Sequence, residues 1–237
     1  MMTATATLAT ETIQFTGDGA AVPAYLARPS AAPAWGLPTV VILHEWWGLT
    51  DHIKDVARRL AAEGFAALAP DLYARQGSQV TADPNEASSL MSALSGQQIL
   101  RDLNAATTYL KTRPFVGAWR IGIVGFCMGG TLALNQAGHN SDLKAAVVFY
   151  GKVPPIETFD YLLCPVLYHY AEQDGWVTKQ EADRMRQGLQ LFGKPGEVVT
   201  YSCQHAFFND TRPEVYSAEH AAQAWQKTLQ FFAQHLR

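Results

Sequence analysis

Between Thr39 and His44 the chain reads Val40-Val41-Ile42-Leu43 with no polar residue at alternate positions. A strand with one face in water shows a two-residue alternation, so this run predicts a strand buried on both faces. Comparable runs rich in Val, Ile, Leu and aromatics lie at Phe65–Ala69, Arg120–Phe126, Ala145–Tyr150, Val166–Tyr170 and Glu197–Tyr201, punctuated by Gly and Pro. Between them, helical spacing runs through Asp51–Glu63, Gln97–Thr112, Thr131–Gly138, Lys179–Phe192 and Val215–Leu236. Strand and helix in alternation predict a doubly wound, mostly parallel α/β sheet covered on both faces.

Local signals add detail. Thr50 before Asp51, and Asp83 before Pro84, are residue types that cap helix starts. Glu11–Arg28 alternates around Gly17-Asp18-Gly19, which predicts an antiparallel hairpin at the sheet edge. Gln76–Ser95 is a polar excursion that could serve as a lid or cap. At 237 residues, 48% hydrophobic and 16% charged, the chain is expected to form a single domain over residues 1–237.

Charge narrows the partners. A net charge of −3 offers no basic field for phosphates or anionic lipids, so neither nucleic acid nor a membrane is expected. The N-terminus lacks the basic and apolar regions of a secretory signal, and no apolar run reaches membrane-spanning length. Three scattered cysteines, Cys127, Cys164 and Cys203, suit neither a disulfide framework nor a paired metal site. A cytoplasmic monomer or small homo-oligomer is expected. No metal, nucleotide or organic cofactor is implied.

Chemistry concentrates at Gly125-Phe126-Cys127-Met128-Gly129-Gly130, which follows the apolar Ile121–Val124 and precedes a helical run. This is the setting of a nucleophile elbow, in which a strained turn lifts its central side chain above the sheet. Residues two positions away on either side must then be almost without side chains, and Gly125 and Gly129 meet that need. With glycine at about 7% of residues, a given cysteine has roughly a half-percent chance of both neighbours. Dinucleotide binding is the competing use of such a turn, but cysteine stands where its second glycine belongs. A helix N-terminus favours the thiolate, and the Met128 amide could receive an oxyanion. The fold class expected is therefore a three-layer α/β-hydrolase, with a mostly parallel central sheet and an N-terminal antiparallel hairpin.

The elbow predicts an acid and then a base after later strands. Asp174 lies in the loop following Val166–Tyr170, and His205 lies between Glu197–Tyr201 and the final helix. Asp174 is preferred to Glu172 because its shorter side chain sits in the Asp-Gly turn; His44 and His169, at strand ends, are the rival imidazoles. His205 would take the thiol proton and return one to the leaving alcohol. His44-Glu45-Trp46-Trp47-Gly48 follows another strand, and it is no HExxH zinc motif because position 48 is glycine. Trp46 N–H could supply a second oxyanion donor, Glu45 could meet the resting thiol, and Trp46 and Trp47 could wall a pocket, although a tryptophan pair also fills cores. Arg75 could bind a substrate carboxylate, or simply pair with a neighbouring acid.

Taken together, His44–Gly48, Pro70-Asp71-Leu72-Tyr73-Ala74-Arg75, Gly125–Gly130, Tyr150-Gly151, Gln173-Asp174 and His205-Ala206-Phe207 resemble the dienelactone hydrolase family, also called carboxymethylenebutenolidase. The resemblance covers nearly the whole chain. It implies hydrolysis of a small ester or lactone by Cys127, Asp174 and His205, with Glu45 engaging the cysteine and Arg75 holding a carboxylate. One position departs: members acting on dienelactone carry an arginine four residues after the histidine, where this chain has Asn209, with Arg212 three residues on. Two other readings remain, a general carboxylesterase of this fold and a non-catalytic binding or redox-sensing protein with an oxidisable Cys127.

Overall fold

A computed structural model describes residues 7–237. Eight strands form one sheet in the order β1-β2-β4-β3-β5-β6-β7-β8, from β1 (Leu8–Thr16), β2 (Ala21–Pro29), β3 (Leu37–Leu43), β4 (Ala66–Pro70), β5 (Val116–Phe126), β6 (Leu143–Phe149), β7 (Val166–Gln173) and β8 (Gly196–Gln204). The helices are α1 (Asp51–Ala62), α2 (Pro84–Ser92), α3 (Gly96–Lys111), α4 (Met128–Ala137), α5 (Lys179–Leu191) and α6 (Ala218–Leu236). This is the α/β-hydrolase fold. Residues 7–42 and 47–121 form one compact unit, and Leu43–Trp46 with Gly122–Arg237 form another.

In the first unit, β1 and β2 make the expected antiparallel hairpin, with Ile13 opposite Ala24 and Phe15 opposite Val22. β2 runs antiparallel to β4, whereas β3 and β4 are parallel. Every residue of β3 and β4 is buried, as the unbroken apolar runs require. Helix α1 buries Ile53, Val56, Ala57 and Leu60 along one stripe, and packs on β1, β2 and β4. Burying a side chain such as Val56 or Leu60 contributes about 1.5–3 kcal/mol relative to exposure.

One local expectation needs correction, and another, the Asp83 cap, is borne out. Thr50 occupies the N-cap position of α1, but its side chain makes no capping hydrogen bond. Within Gln76–Ser95 lies a helix, α2, whose Asp83 cap accepts from Asn85 N and Glu86 N at 2.7 and 3.3 Å. Only Ala87 of α2 is buried, so its sequence carries little apolar periodicity.

In the second unit β6, β7 and β8 are parallel. Helices α4 and α6 pack on β6, and a Cβ at Gly122 would meet Phe232 and Leu236 of α6. Helix α5 begins with a capping box in which Thr178 and Glu181 satisfy each other's backbone amides. Helix α4 begins at Met128 rather than Thr131, directly after the elbow. Helix α6 begins at Ala218 rather than Val215, because residues 206–217 wind through consecutive turns.

Candidate active site

β5 ends at Phe126 and α4 begins at Met128, leaving Cys127 alone to reverse the chain. Its backbone sits at φ 56°, ψ −116°, a region L-residues rarely occupy and one that costs about 1–3 kcal/mol. The glycines explain how the turn closes. A Cβ on Gly125 would strike the carbonyl of Gly129, and one on Gly129 would strike the carbonyls of Leu43 and His44. Cys127 N donates to Phe149 O at 3.0 Å, tying the elbow to the end of β6. Among buried neighbours Cys127 is half-buried, whereas Cys164 and Cys203 are buried and burial pushes each thiol up to about 12.

His205 Nδ1 donates to Asp174 Oδ2 at 2.6 Å. The other oxygen, Oδ1, accepts from Trp176 N at 2.6 Å and Val177 N at 3.0 Å, so the turn itself orients the carboxylate. The Asp174 side chain is 0% exposed and that of His205 16%. The Cys127 thiol lies near enough to His205 to raise the imidazole's affinity for a proton. The structure thus brings Cys127, His205 and Asp174 into one line of contacts, while Glu172 is exposed.

Burial opposes charge on His205, but the hydrogen bond to Asp174 and the nearby Cys127 thiol outweigh it and push the imidazole from 6.5 up to about 10. A raised histidine stabilises the fold fully below its unfolded value near 6.5, and that contribution is lost as pH rises through about 10. Asp174→Asn removes the anion. The melting-temperature gap between wild type and this variant is expected to be widest below pH 6.5 and to narrow toward pH 10; a gap that widens with pH would contradict the assignment.

The rival imidazoles sit elsewhere. His169 is fully buried and shares hydrogen bonds of 3.0 Å with Tyr201 Oη and Thr228 Oγ1. His44 is buried, with Nδ1 2.5 Å from Glu45 O.

Glu45 is buried and its Oε2 accepts from Asn209 Nδ2 at 2.6 Å. Asn209 Oδ1 is in turn held by Thr211 N and Oγ1 at 3.0 and 2.6 Å. Trp46 meets Trp176 edge-on at 5.1 Å between ring centroids, and Trp176 lies 6.4 Å from the His205 ring. Arg212 forms an ion pair with Glu214 at 2.7 Å. Trp47 and Arg75 belong to the first unit. There Trp47 is half-buried, while the Arg75 guanidinium forms an ion pair with Asp102 and donates to Asp18 O at 2.9 Å.

Two neighbours of His205 escape sequence reasoning. Trp176 follows the Asp-Gly turn and is half exposed, so composition gives no reason to single it out. Tyr150, whose ring centroid is 4.9 Å from that of His205, directly follows β6 at the end of an apolar run and reads there as core. No group of three or more potential metal ligands occurs among the described residues, and no helix among them is long and apolar enough to cross a membrane.

The strand–elbow–helix geometry, with acid and base on later loops, defines an α/β-hydrolase. The family model for the dienelactone hydrolase family matches residues 22–236. The chain belongs to the dienelactone hydrolase family and is a hydrolase acting on esters or lactones. A Salmonella typhi protein with a provisional carboxymethylenebutenolidase name is 37% identical over 236 residues, covering 92% of this chain and 84% of its own. Protein usf of Aquifex pyrophilus is 34% identical, covering 94% and 98%. Among solved structures, a provisionally named dienelactone hydrolase from Klebsiella pneumoniae is 35% identical, with a TM-score of 0.90 over 97% of this chain and 100% of that one.

Proposed function

We propose that residues 1–237 act as one catalytic domain that hydrolyses small esters or lactones through an acyl-thioester on Cys127. The observation that carries this reading is His205, held by Asp174 through Nδ1 and near enough to Cys127 for the thiol to raise its affinity for a proton. With the thiol's proton held on His205, Cys127 Sγ attacks the carbonyl carbon. The amides of Met128, at the positive end of α4, and of Trp46 receive the oxyanion. When the intermediate collapses, His205 returns its proton to the leaving alkoxide, giving the acyl-thioester. Water, deprotonated by His205, then attacks the thioester, releasing the acid and restoring the thiol. Asp174 holds the imidazole tautomer throughout, so Asp174→Asn is expected to lower kcat by roughly a hundredfold or more.

The substrate in this reading is uncharged. Arg75 and Arg212 would serve as carboxylate binders, yet each already holds a carboxylate, and Asn209 brings a neutral amide rather than a cation to Glu45. Neutral esters are expected to exceed matched carboxylate-bearing lactones in kcat/KM, and the reverse order would overturn this substrate assignment. A redox sensor would use the thiol without an orienting acid, so the Asp174–His205 contact favours hydrolysis. The direct test is mass spectrometry of protein quenched during turnover of a slow p-nitrophenyl ester. One acyl group on the Cys127 peptide is expected; acylation elsewhere, or turnover with Cys127 never acylated, would sink the mechanism.

A further inference from the structure

Tyr150 combines three unusual properties. It is a non-glycine residue at φ 41°, in the left-handed region. Its side chain is 0% exposed. Its hydroxyl has no hydrogen-bond partner among the described residues.

A buried hydroxyl without a partner destabilises a fold, and phenylalanine would fill the same space without that penalty. Packing therefore accounts for the ring and not for the oxygen. The ring meets His205 at 4.9 Å and Phe207 at 5.6 Å. Tyr150 N donates to His169 O at 2.9 Å, while the preceding carbonyl, Phe149 O, accepts from Cys127 N. The backbone of the elbow is thus hydrogen-bonded to the residue next to Tyr150.

The ionisable groups acting on the hydroxyl are Glu45, Cys127, Asp174 and Cys203, and His205 lies against the ring. Burial foremost, and then those groups, push the phenol well above its usual value, so it keeps its proton and can only give a hydrogen bond to an anion. Glu45 already accepts from Asn209, and Asp174 from His205 and two amides. Of the anions that form during the reaction, the oxyanion is received by the amides of Met128 and Trp46 and the alkoxide by the His205 proton, which leaves the thiolate.

We propose that Tyr150 is a positioning residue whose hydroxyl donates a hydrogen bond to the sulfur of Cys127 once the thiol has lost its proton. No bond to carbon changes; the proton leaves Sγ for His205, and Tyr150 keeps its own. The proposal rests on Cys127 being the reactive thiol, but its test needs no hydrolysis.

The rate of iodoacetamide alkylation at Cys127 is followed against pH by peptide mass spectrometry, with Cys164 and Cys203 as buried references. Tyr150→Phe is expected to move the midpoint of that profile upward by about one pH unit, as loss of a hydrogen bond to a charged acceptor requires. Its melting temperature should be unchanged or higher. An unmoved midpoint in folded Tyr150→Phe overturns the proposal, even if ester turnover falls. Tyr150→Leu, also lacking the hydroxyl, reads the same midpoint should the phenylalanine protein not fold. An absent acyl-thioester would instead count against the hydrolytic mechanism and leave this midpoint measurable.

Discussion

Cys127→Ala is expected to bring turnover of p-nitrophenyl esters and small lactones down by at least about a thousandfold, while circular dichroism and melting temperature stay close to wild type. The chemical loss follows from removing the only atom that forms the proposed thioester. Structural tolerance follows from the backbone: alanine bears the same Cβ as cysteine, so the strain at φ 56° is not increased. His205 and Asp174 keep their contact in the variant, and they could activate water directly. A variant that retained a tenth or more of wild-type kcat would therefore mean that water, not sulfur, attacks the carbonyl.

The second large effect is structural. Gly129→Ala would drive a Cβ into the carbonyls of Leu43 and His44, which are backbone atoms at the end of a buried strand and cannot turn aside as a side chain would. Overpacking of this kind costs about 3 kcal/mol or more where the backbone cannot move, a large share of a marginal folding free energy of about 5–15 kcal/mol. The expected outcome is a melting temperature lower by several degrees or accumulation in the insoluble fraction. Activity should fall with folded protein, because the same carbonyls precede Glu45 and Trp46. By contrast, alanine at Gly175 or Gly193 would meet no atom within 4 Å, although Gly193 has φ +59°. Equal melting temperatures for Gly129→Ala and Gly175→Ala would show that the close approach at the elbow is not restrictive.

What the sequence made legible follows from how local each cause is. β3 and β4 are buried on both faces, and a strand in that setting has no option but an apolar run. At Gly125 the need for glycine is equally local, since a Cβ would meet Gly129 and Gly130 of the same turn, whereas the need at Gly129 comes from Leu43 and His44, distant in sequence. Asp174 was separable from Glu172 by the Asp-Gly turn, and the turn amides do hold its carboxylate.

Other features depend on partners distant in sequence. Glu45 and Asn209 are 164 residues apart, and nothing near either position announces the bond. The first residues of β5, Val116-Gly117-Ala118-Trp119, include a glycine and a tryptophan that is 74% exposed, so they do not read as a strand. Arg75 belongs to the same class. Its pairing with Asp102 joins an exposed-looking arginine to an acid on α3 that only the folded chain brings near.

His169, set aside as a catalytic rival, shapes how the fold responds to acid. Burial holds its imidazole down to about 3, with Lys227 acting in the same direction. Its contribution to stability is whole above about pH 6.5 and is lost as pH falls through about 3. Unfolding in that range takes up a proton at the middle of β7, far from any solvent that could supply it while the strand is in place. His169 in the core thus loses its contribution on the acid side and His205 in the site loses its own on the alkaline side, two imidazoles 36 residues apart shifted in opposite directions.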